Sequence, residues 1–329
     1  MRTYVLVDFA NMFFRSKHHA GKGATLDEKI GLSIHILLNS VRNVWQRVEA
    51  GHCVFAIEGG SWRKAIYPEY KKNRLLLKLK KTEKELAEDE KFFEASNDLI
   101  AYLKEYTMTS VIKVDKAEGD DVIATFVKSH PNDKHIIVST DSDFFQLLSD
   151  KVHIFDGMKG HYITLDSITD IFTGKEVKDK DDSPKKVGDP EYLLFEKCIR
   201  GDSSDNVFSA YPRIRKKSTK NLIGIDKVYA DRQSKGLDWN NVMQHTWEDH
   251  KGVTHTVLDD YNRNRTLIDL NYIPHDIVDK INESIEQQKN HNVVMSDVGF
   301  QFMKLCANFQ LQNIAKDASS YVHFLTAKY

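Results

Sequence analysis

Short acidic clusters that follow apolar runs constrain the fold of this chain more than any other feature of its sequence. Apolar runs such as Tyr4–Val7, Val54–Ile57 and His135–Ser139 are typical of buried strands. Carboxylates that follow the strands of a parallel sheet meet at one edge of that sheet, where α/β folds build their sites. The clusters comprise nine acids: Asp8, Glu58, Glu118, Asp120, Asp121, Asp141, Asp143, Asp202 and Asp205.

These carboxylates favour a metal centre. Gathered at one edge they would repel one another and lose hydration, so cations are needed to neutralise them. Ligands that are all oxygen favour a hard ion, Mg²⁺, for which Mn²⁺ can substitute. Glu118 and Asp121 are three residues apart where a helix is predicted to begin, hence on one face of it. Asp141 and Asp143 are two apart and point the same way if the strand continues. The array is predicted to hold two metal ions, an arrangement that suits phosphodiester hydrolysis.

A simpler interpretation applies to each cluster taken alone. Acids at strand ends commonly serve as helix N-caps or as solvated loop residues. The occurrence of all five clusters in order along one predicted sheet edge favours the metal site.

Composition narrows the class of protein. The chain has 329 residues, of which 41% are hydrophobic, enough for one large domain or two modest ones. The net charge of −1 gives no general sign of a polyanionic partner. Three cysteines lie far apart without a CxxC motif, so neither a disulfide framework nor a zinc site is predicted. Without a signal peptide or a long apolar run, we expect a cytoplasmic protein with no membrane partner.

The order of predicted elements defines the fold class. Strands are predicted at 3–9, 52–57, 110–114, 134–140 and 151–155, with 161–165 as a last edge strand, and helices at 26–50, 120–129 and 144–148. Their alternation predicts an α/β fold with a twisted, mostly parallel sheet and helices on both faces. Residues 173–190 are charged and rich in Pro and Gly, which predicts a linker between a catalytic domain at 1–172 and a mainly α-helical domain at 191–329.

Two basic segments are candidates for nucleic-acid binding. Residues 62–84 carry nine Lys or Arg residues, and Tyr67 or Tyr70 could stack on an unpaired base. A second run comprises Arg213, Arg215, Lys216, Lys217 and Lys220, from which we expect phosphate contacts without sequence preference. For both segments the alternative is a solvated basic surface.

The order of these motifs resembles that of the 5′-nuclease or flap endonuclease superfamily, whose catalytic domain is related to PIN domains. The blocks KAEGDDVIA, STDSDF and GDSSDN carry the resemblance over about residues 3–206, and PEYKKNR supports it. Within the superfamily the chain is most similar to bacteriophage 5′→3′ exonucleases of the ribonuclease H type. It lacks the GxGxG loop with which most relatives bind K⁺ and grip duplex DNA.

The resemblance assigns roles to the candidate residues. It implies that the first metal is held, directly or through water, by Asp8, Glu58, Glu118, Asp120, Asp141 and Asp143. It implies that Asp121, Asp202 and Asp205 help to hold the second. A helical arch is implied at about 71–105, with Lys71 and Arg74 at its base steering the scissile phosphate. The basic segments and the resemblance together predict that substrate is bound by Arg63, Tyr70, Lys72, Arg213, Arg215, Lys216 and Lys217.

The implied activity is metal-dependent 5′→3′ exonucleolytic hydrolysis of DNA or RNA·DNA duplexes, with 5′-flap cleavage as an option and RNA primer removal as the role. The implied partners are duplex DNA with a 5′ end or 5′ flap and an RNA·DNA hybrid. Family analogy adds a single-strand-binding protein or a sliding clamp, and we expect a monomer. The alternatives are a PIN-type single-stranded ribonuclease, which would not need Asp202 and Asp205, and a non-catalytic nucleic-acid-binding scaffold. A dehalogenase-like phosphatase would need a second acid where Phe9 and Ala10 follow Asp8.

Overall fold

The computed structural model of the chain describes residues 1–15, 24–212, 214–219 and 222–329. They form two compact units, each built from stretches that are separated in sequence. The first, called here the sheet unit, comprises Met1–Ser61, Lys81–Val187 and Pro274–Tyr329. The second, called here the helical unit, comprises Trp62–Lys80 and Gly188–Ile273.

The described elements are numbered in chain order. The strands are β1 (Thr3–Asp8), β2 (His52–Ile57), β3 (Ser110–Lys113), β4 (Lys134–Val138), β5 (Val152–Asp156), β6 (His161–Ile163), β7 (Ile168–Asp170), β8 (Thr246–Glu248) and β9 (Thr254–Thr256). The helices are α1 (Phe9–Arg15), α2 (Leu26–Val48), α3 (Arg63–Ile66), α4 (Lys72–Leu79), α5 (Glu83–Tyr106), α6 (Gly119–Ser129), α7 (Pro190–Arg200), α8 (Ile225–Asp231), α9 (Leu237–Met243), α10 (Val257–Ile268), α11 (His275–Lys289), α12 (Met295–Asn308), α13 (Gln312–Lys316) and α14 (Ala318–Leu325), and a 3₁₀ helix spans Ser142–Leu147.

The sheet unit contains a seven-stranded sheet in the order β3-β2-β1-β4-β5-β6-β7. The five strands from β3 to β5 are parallel, and β6 and β7 continue the sheet in antiparallel fashion. Asp8 pairs with Ala56 at the end of β1, and Val7 pairs with Val138 of β4. Because the central strands run the same way, their carboxyl ends lie at one edge, as the sequence predicts.

Helices cover both faces of this sheet. Successive side chains of a strand point to opposite faces. Val5 and Val7 of β1 join the core formed with α2, whose Ile34 and Leu38 are fully buried. Tyr4, the residue before Val5, points to the opposite face and meets Phe126 of α6, with ring centroids 5.1 Å apart. The predicted α/β class, with a mostly parallel sheet and helices on both faces, is confirmed.

The start of α2 shows why the sequence folds locally as it does. Thr25 accepts a hydrogen bond from the Glu28 N–H, and the Glu28 carboxylate accepts one from the Thr25 N–H, at 2.7 Å. This capping box satisfies backbone donors that the helix leaves unpaired. The helix then runs to Val48 with an apolar stripe directed to the core, close to the predicted span of 26–50.

The compact units are not consecutive along the chain, in contrast to the predicted domains at 1–172 and 191–329. The last four helices belong to the sheet unit, where α11 packs on α6, α12 on α5, and α14 on α2. Several of their apolar residues, among them Phe302 and Phe324, are fully buried in the same core as Val5. Residues 62–80, within the predicted catalytic domain, group instead with the helical unit.

Three details differ from the predicted elements. The strand predicted at 161–165 ends at Ile163, and β7 follows it as the edge strand. Within the predicted linker, the Val177 N–H donates to the Ile168 carbonyl at 2.8 Å, so this stretch begins alongside β7. The β8–β9 hairpin was not predicted, because each strand is only three residues long.

The helical unit has its own core. Buried side chains from α7, α8, α9 and α10 form it, among them Phe195, Ile225 and Met243, and Tyr70 joins them from the segment before α4. No helix in the described part of the chain has the length and apolar character needed to cross a membrane.

Candidate metal centre and basic cluster

Asp8 lies at the carboxyl end of β1 and is buried. Its Oδ2 accepts a hydrogen bond from the Ser139 hydroxyl at 2.9 Å, and its Oδ1 accepts one from the Asn11 N–H at 3.2 Å. Burial raises the pKa of Asp8 to about 7, and the carboxylates of Asp141 and Asp120 add to the rise. The two hydrogen bonds act in the opposite direction. Three of the predicted ligands thus interact electrostatically at this edge of the sheet.

Three further acids meet at the start of α6. One carboxylate oxygen from each of Glu118, Asp120 and Asp121 lies within 4.8 Å of the others. The Glu118 N–H donates to Asp121 Oδ2 at 3.0 Å, and the Asp121 N–H donates to Asp120 Oδ1 at 2.9 Å. Glu118 and Asp121 are buried. The N-terminus of a helix favours negative charge, so the first turn of α6 is a suitable place for these carboxylates.

Gly119 brings this group close to Asp8. A Cβ added at Gly119 would lie 3.8 Å from Asp8 Oδ1 and 3.6 Å from the Ala56 carbonyl. The first turn of α6 therefore packs directly against the ends of β1 and β2. These distances bring the Glu118, Asp120 and Asp121 group and Asp8 together within the sheet unit.

Glu58 follows β2 and is exposed. The next residue fixes its loop, because the Gly59 N–H donates to the Ala117 carbonyl at 2.9 Å and the Lys116 N–H donates to the Gly59 carbonyl at 2.9 Å. A Cβ at Gly59 would lie 1.8 Å from the Val114 carbonyl oxygen, so only glycine fits there. The loop with Glu58 is thereby attached to the loop that leads into Glu118.

Asp141 and Asp143 are brought together in a different way from the one predicted. The extended backbone ends at Asp141, which caps the 3₁₀ helix, and its Oδ1 accepts the Asp143 N–H at 3.0 Å. The Asp141 N–H in turn donates to the Ser139 hydroxyl at 3.1 Å. The pair is held by this cap and not by strand alternation.

Ser139 and Asn11 are site residues that the sequence reasoning missed. Ser139 is fully buried and contacts both Asp8 and Asp141. The Asn11 side-chain oxygen accepts hydrogen bonds from the N–H of Thr140 at 3.1 Å and from its hydroxyl at 2.8 Å. Both residues connect β1 to the end of β4. In the sequence, Asn11 lies three residues after Asp8 and Ser139 lies two residues before Asp141. This closeness to predicted ligands was the signal that could have identified them.

The helical unit carries a second group of candidates around Asp205. Its carboxylate accepts hydrogen bonds from the Tyr70 hydroxyl at 2.8 Å and from Arg74 Nη2 at 2.6 Å, and Lys71 Nζ lies 3.6 Å away. Lys71 Nζ also lies 5.0 Å from the centre of the Tyr70 ring. We call Tyr70, Lys71, Arg74 and Asp205 the basic cluster. Its two cations face a carboxylate from a segment about 130 residues away in sequence.

Asp202 is also paired with a cation in this unit. Burial alone would raise the pKa of Asp202, but Lys197 Nζ at 2.8 Å and the hydroxyl and N–H of Ser204 lower it below its ordinary value. The carboxylate is therefore ionised at neutral pH, as a metal ligand must be.

The remaining predicted cations are mostly exposed. Lys72 pairs with Glu69 at 2.8 Å, and Lys216 pairs with Glu196 at 2.7 Å. Arg215 and Lys217 lie on the same exposed stretch as Lys216. Arg213 and Lys220 lie outside the described residues.

Two residues predicted to contact substrate are buried in the structure. The side chain of Arg63 is 1% exposed, its Nε donates to the Leu267 carbonyl at 2.7 Å, and its guanidinium lies over the Trp62 ring. Tyr70 is 3% exposed, with its hydroxyl on Asp205. Both side chains pack inside the helical unit, so neither presents a surface for a phosphate or an unpaired base.

Family comparison identifies the class of protein. Residues 3–181 match the model of the 5′-3′ exonuclease, N-terminal resolvase-like domain, and residues 188–308 match the C-terminal domain of T4 RNase H. The chain belongs to the 5′-3′ exonuclease family and is a nuclease of the exonuclease and flap endonuclease class. This confirms the predicted class and argues against the non-catalytic scaffold.

Individual relatives give the same result. The chain is 31% identical over 276 residues to ribonuclease H of Enterobacteria phage T4, a match that covers 77% of each protein. It is 32% identical over 211 residues to the flap endonuclease of Escherichia phage T5, covering 63% of this chain and 64% of that protein. A solved structure of the phage T5 flap endonuclease with DNA and metal ions has a TM-score of 0.59 at 24% identity, covering 87% of this chain and 99% of that one. This last likeness establishes a common fold.

Proposed function

We propose that the protein is a two-metal, Mg²⁺-dependent 5′→3′ exonuclease that acts on 5′ ends of duplex DNA and of RNA·DNA hybrids. We further propose that it cleaves 5′ flaps and removes RNA primers during DNA replication, with a single-strand-binding protein or a sliding clamp as its partner. The observation that supports this most is the meeting of Glu118, Asp120 and Asp121 within 4.8 Å, next to Asp8 at the sheet edge.

The donor set fits a divalent cation. Burial, and to a lesser extent the carboxylates of Asp141 and Asp120, raise the pKa of Asp8, and a bound cation would favour its ionised form. All candidate ligand atoms are carboxylate oxygens, which suit Mg²⁺ or Mn²⁺ better than softer metals. We propose that Asp8, Glu58, Glu118, Asp120, Asp141 and Asp143 hold the first ion, and that Asp121, Asp202 and Asp205 help to hold the second.

The chain's own residues have distinct proposed roles. When bound, the metals supply charge that stabilises the phosphoryl transition state and lowers the pKa of the attacking water. Ser139 and Asn11 keep the Asp8 carboxylate oriented through their hydrogen bonds. Lys71 and Arg74 bind the phosphate from which the leaving oxygen departs and offset its developing charge. Lys72, Arg215, Lys216 and Lys217 contact the backbone of the duplex without reading its sequence.

The direct test is cleavage of 5′-labelled substrates. A blunt duplex, a duplex with a 5′ flap and an RNA·DNA hybrid are incubated with the protein in Mg²⁺ and in EDTA. We expect short 5′ products in Mg²⁺ only, and the order of the three rates defines the preferred substrate. Asp120→Asn should abolish cleavage, whereas Asp276→Asn, an exposed acid on α11, should leave it unchanged. Tight DNA binding without cleavage in Mg²⁺ or Mn²⁺ would contradict the proposal.

A further inference from the structure

Two segments that are far apart in sequence are joined by a reciprocal pair of asparagines in the helical unit. The Asn73 side-chain amide donates to the carbonyls of Ser203 at 3.1 Å and Ser204 at 3.3 Å. In the opposite direction, the Asn206 side-chain amide donates to the Glu69 carbonyl at 2.7 Å. We call these contacts the asparagine latch. Each segment both gives and receives an amide hydrogen bond, so neither can slide along the other without breaking one.

The backbone within the latch adopts an unusual conformation. Lys71 and Asn206 have φ angles of 55° and 59°, in the left-handed region that residues with a Cβ disfavour. The Lys71 N–H donates to the Asp205 carbonyl at 2.8 Å. Such strained positions persist only where surrounding contacts over-determine them, and the latch supplies contacts on both sides of this bond.

The latch also reaches the residue after Asn73. The Asn73 side-chain oxygen accepts the Arg74 N–H at 2.9 Å while its nitrogen holds the carbonyls of the other segment. The assignment of nitrogen and oxygen follows from the partners, because the carbonyl oxygens can only accept. One side chain therefore ties the backbone of Arg74 to the loop that carries Asp205.

We infer that Asn73 and Asn206 are positioning residues that set Lys71 and Arg74 relative to the Asp205 loop. The inference rests on the proposed function, in which these two cations act on the substrate phosphate. The two amides donate to main-chain carbonyls, so they act through the backbone and not by contacting substrate. Small displacements of groups that act on a transition state lower the rate strongly while binding changes little.

Two variants separate the latch from other effects. Asn73→Ala removes the hydrogen bonds of its side chain to the carbonyls of Ser203 and Ser204 and to the Arg74 N–H. Asn206→Gly removes the amide but keeps a residue that adopts a positive φ readily, so it isolates the hydrogen bond from the backbone strain. Asn240→Ala is the matched control, since the Asn240 amide also donates to main-chain carbonyls, those of Lys235 and Gly236, at the start of α9.

We expect kcat on a 5′-labelled duplex to fall about tenfold to a hundredfold in Asn73→Ala and Asn206→Gly. KM and the DNA dissociation constant should stay within about twofold of the parent, and Asn240→Ala should match the parent in all three. In a Lys71→Ala/Arg74→Ala background, Asn73→Ala should cause no further loss, because its effect passes through those cations. An undiminished kcat, or an equal loss in both backgrounds, would show that the asparagines do not position the cations.

A readout independent of activity tests the latch itself. The Lys71 amide should exchange with solvent slowly in the parent and at least about tenfold faster in Asn73→Ala, while amides of the central strands remain protected. Unchanged exchange at Lys71 would overturn the inference. Failure of the parent to cleave any substrate would count against the proposed function instead, and the exchange measurement would still decide whether the latch orders Lys71.

Discussion

The Ser139 hydroxyl donates to the Asp8 carboxylate across 2.9 Å, although the two residues are 131 positions apart in the chain. Because Ser139 also receives the Asp141 N–H, one buried hydroxyl orients acids at the ends of β1 and β4. Partners that orient metal ligands typically contribute tenfold to a hundredfold to metal affinity or activity. Ser139→Ala should therefore raise the Mg²⁺ concentration needed for half-maximal cleavage about tenfold.

The control for that variant is Ser33→Ala. Ser33 is equally buried, and its hydroxyl donates to the Lys29 carbonyl within α2. A Mg²⁺ titration of cleavage with both variants separates loss of a buried hydroxyl from loss of the Asp8 contact. Equal Mg²⁺ requirements in the two variants would mean that Ser139 does not serve the metal centre.

Asp141→Asn should abolish turnover while DNA binding is kept or strengthened. Loss of a residue that only orients a metal ligand lowers activity up to about a hundredfold. Loss of a ligand itself should lower activity by more than that. Removing a negative charge that faces phosphate should lower the DNA dissociation constant. Single-turnover cleavage and fluorescence anisotropy measure the two effects. Asp166→Asn, in the exposed turn between β6 and β7, is the control, and full activity in Asp141→Asn would remove this residue from the centre.

Arg74→Ala should lower kcat on 5′ ends about a hundredfold, the usual cost of losing one donor to developing charge. Arg232→Ala is a matched control, because Arg232 pairs with Glu191 at 2.6 Å in the same unit, the distance of the Arg74–Asp205 pair. Steady-state cleavage of one 5′-labelled duplex compares the two. A similar small effect from both substitutions would refute a catalytic role for Arg74.

The contribution of two buried histidines to the stability of the protein should fall as the pH drops from about 6.5 to about 4, opposed in part by Asp8, whose raised pKa acts in the other direction. Burial lowers the pKa of His52 to about 4, and it lowers that of His135 to about 4 as well. In this window the unfolded chain binds more protons than the folded chain, so protonation favours unfolding; above pH 6.5 the stabilisation is complete. Each histidine contributes roughly 3 kcal/mol to the difference between the two ends of the window.

The neutral form of His52 matches its contacts. Its Nδ1 lies 2.9 Å from the Ala327 carbonyl and so donates, which leaves Nε2 to accept the Ser110 hydroxyl at 2.8 Å. Neither ring nitrogen of His135 has a hydrogen-bond partner among the described atoms, so His135→Phe should fold and lose part of the pH dependence. Urea unfolding at pH 7.5 and 4.5 tests this, with exposed His275→Gln as the control. An unchanged pH dependence in His135→Phe would contradict the assignment.

Two phenylalanines on α12 should differ sharply in their effect on stability. Phe302 is fully buried, with its ring centroid 5.7 Å from that of Tyr321, whereas Phe300 is 62% exposed. Phe302→Ala should lower the free energy of unfolding of the sheet unit by about 3–5 kcal/mol. Phe300→Ala should change it by about 0.5 kcal/mol or less. Urea denaturation followed by circular dichroism measures both, and similar values would show that α12 does not belong to this core.

The sequence predicts elements whose burial pattern is local. β2 has the predicted bounds of His52 and Ile57, and α2 begins at the predicted Leu26, because a continuous apolar run and a capped amphipathic stripe each specify their own structure. The acids could be assigned to strand ends because the strands before them were predicted from their own apolar runs. Motif order then identifies the family.

Contacts between distant segments were not predictable in this way. Nothing near Asn11 indicates that its side chain will hold Thr140, and nothing near Arg63 indicates that it will be buried on the Leu267 carbonyl. The return of α12 and α14 to the sheet depends on apolar faces that would suit any core of matching shape. Such pairings depend on tertiary packing. The pattern of residues within one segment does not show which distant segment it will contact.

The division of the sheet unit among three stretches of chain has a consequence for its synthesis. A ribosome delivers β1 long before Phe302 and Phe324, yet all belong to one apolar core. The core therefore closes only after residues 274–329 have emerged, and until then α2 and α5 lack the helices that cover them. Nascent chains that stop before this point should lack a folded sheet unit. Cleavage activity should therefore appear only after these helices have been translated.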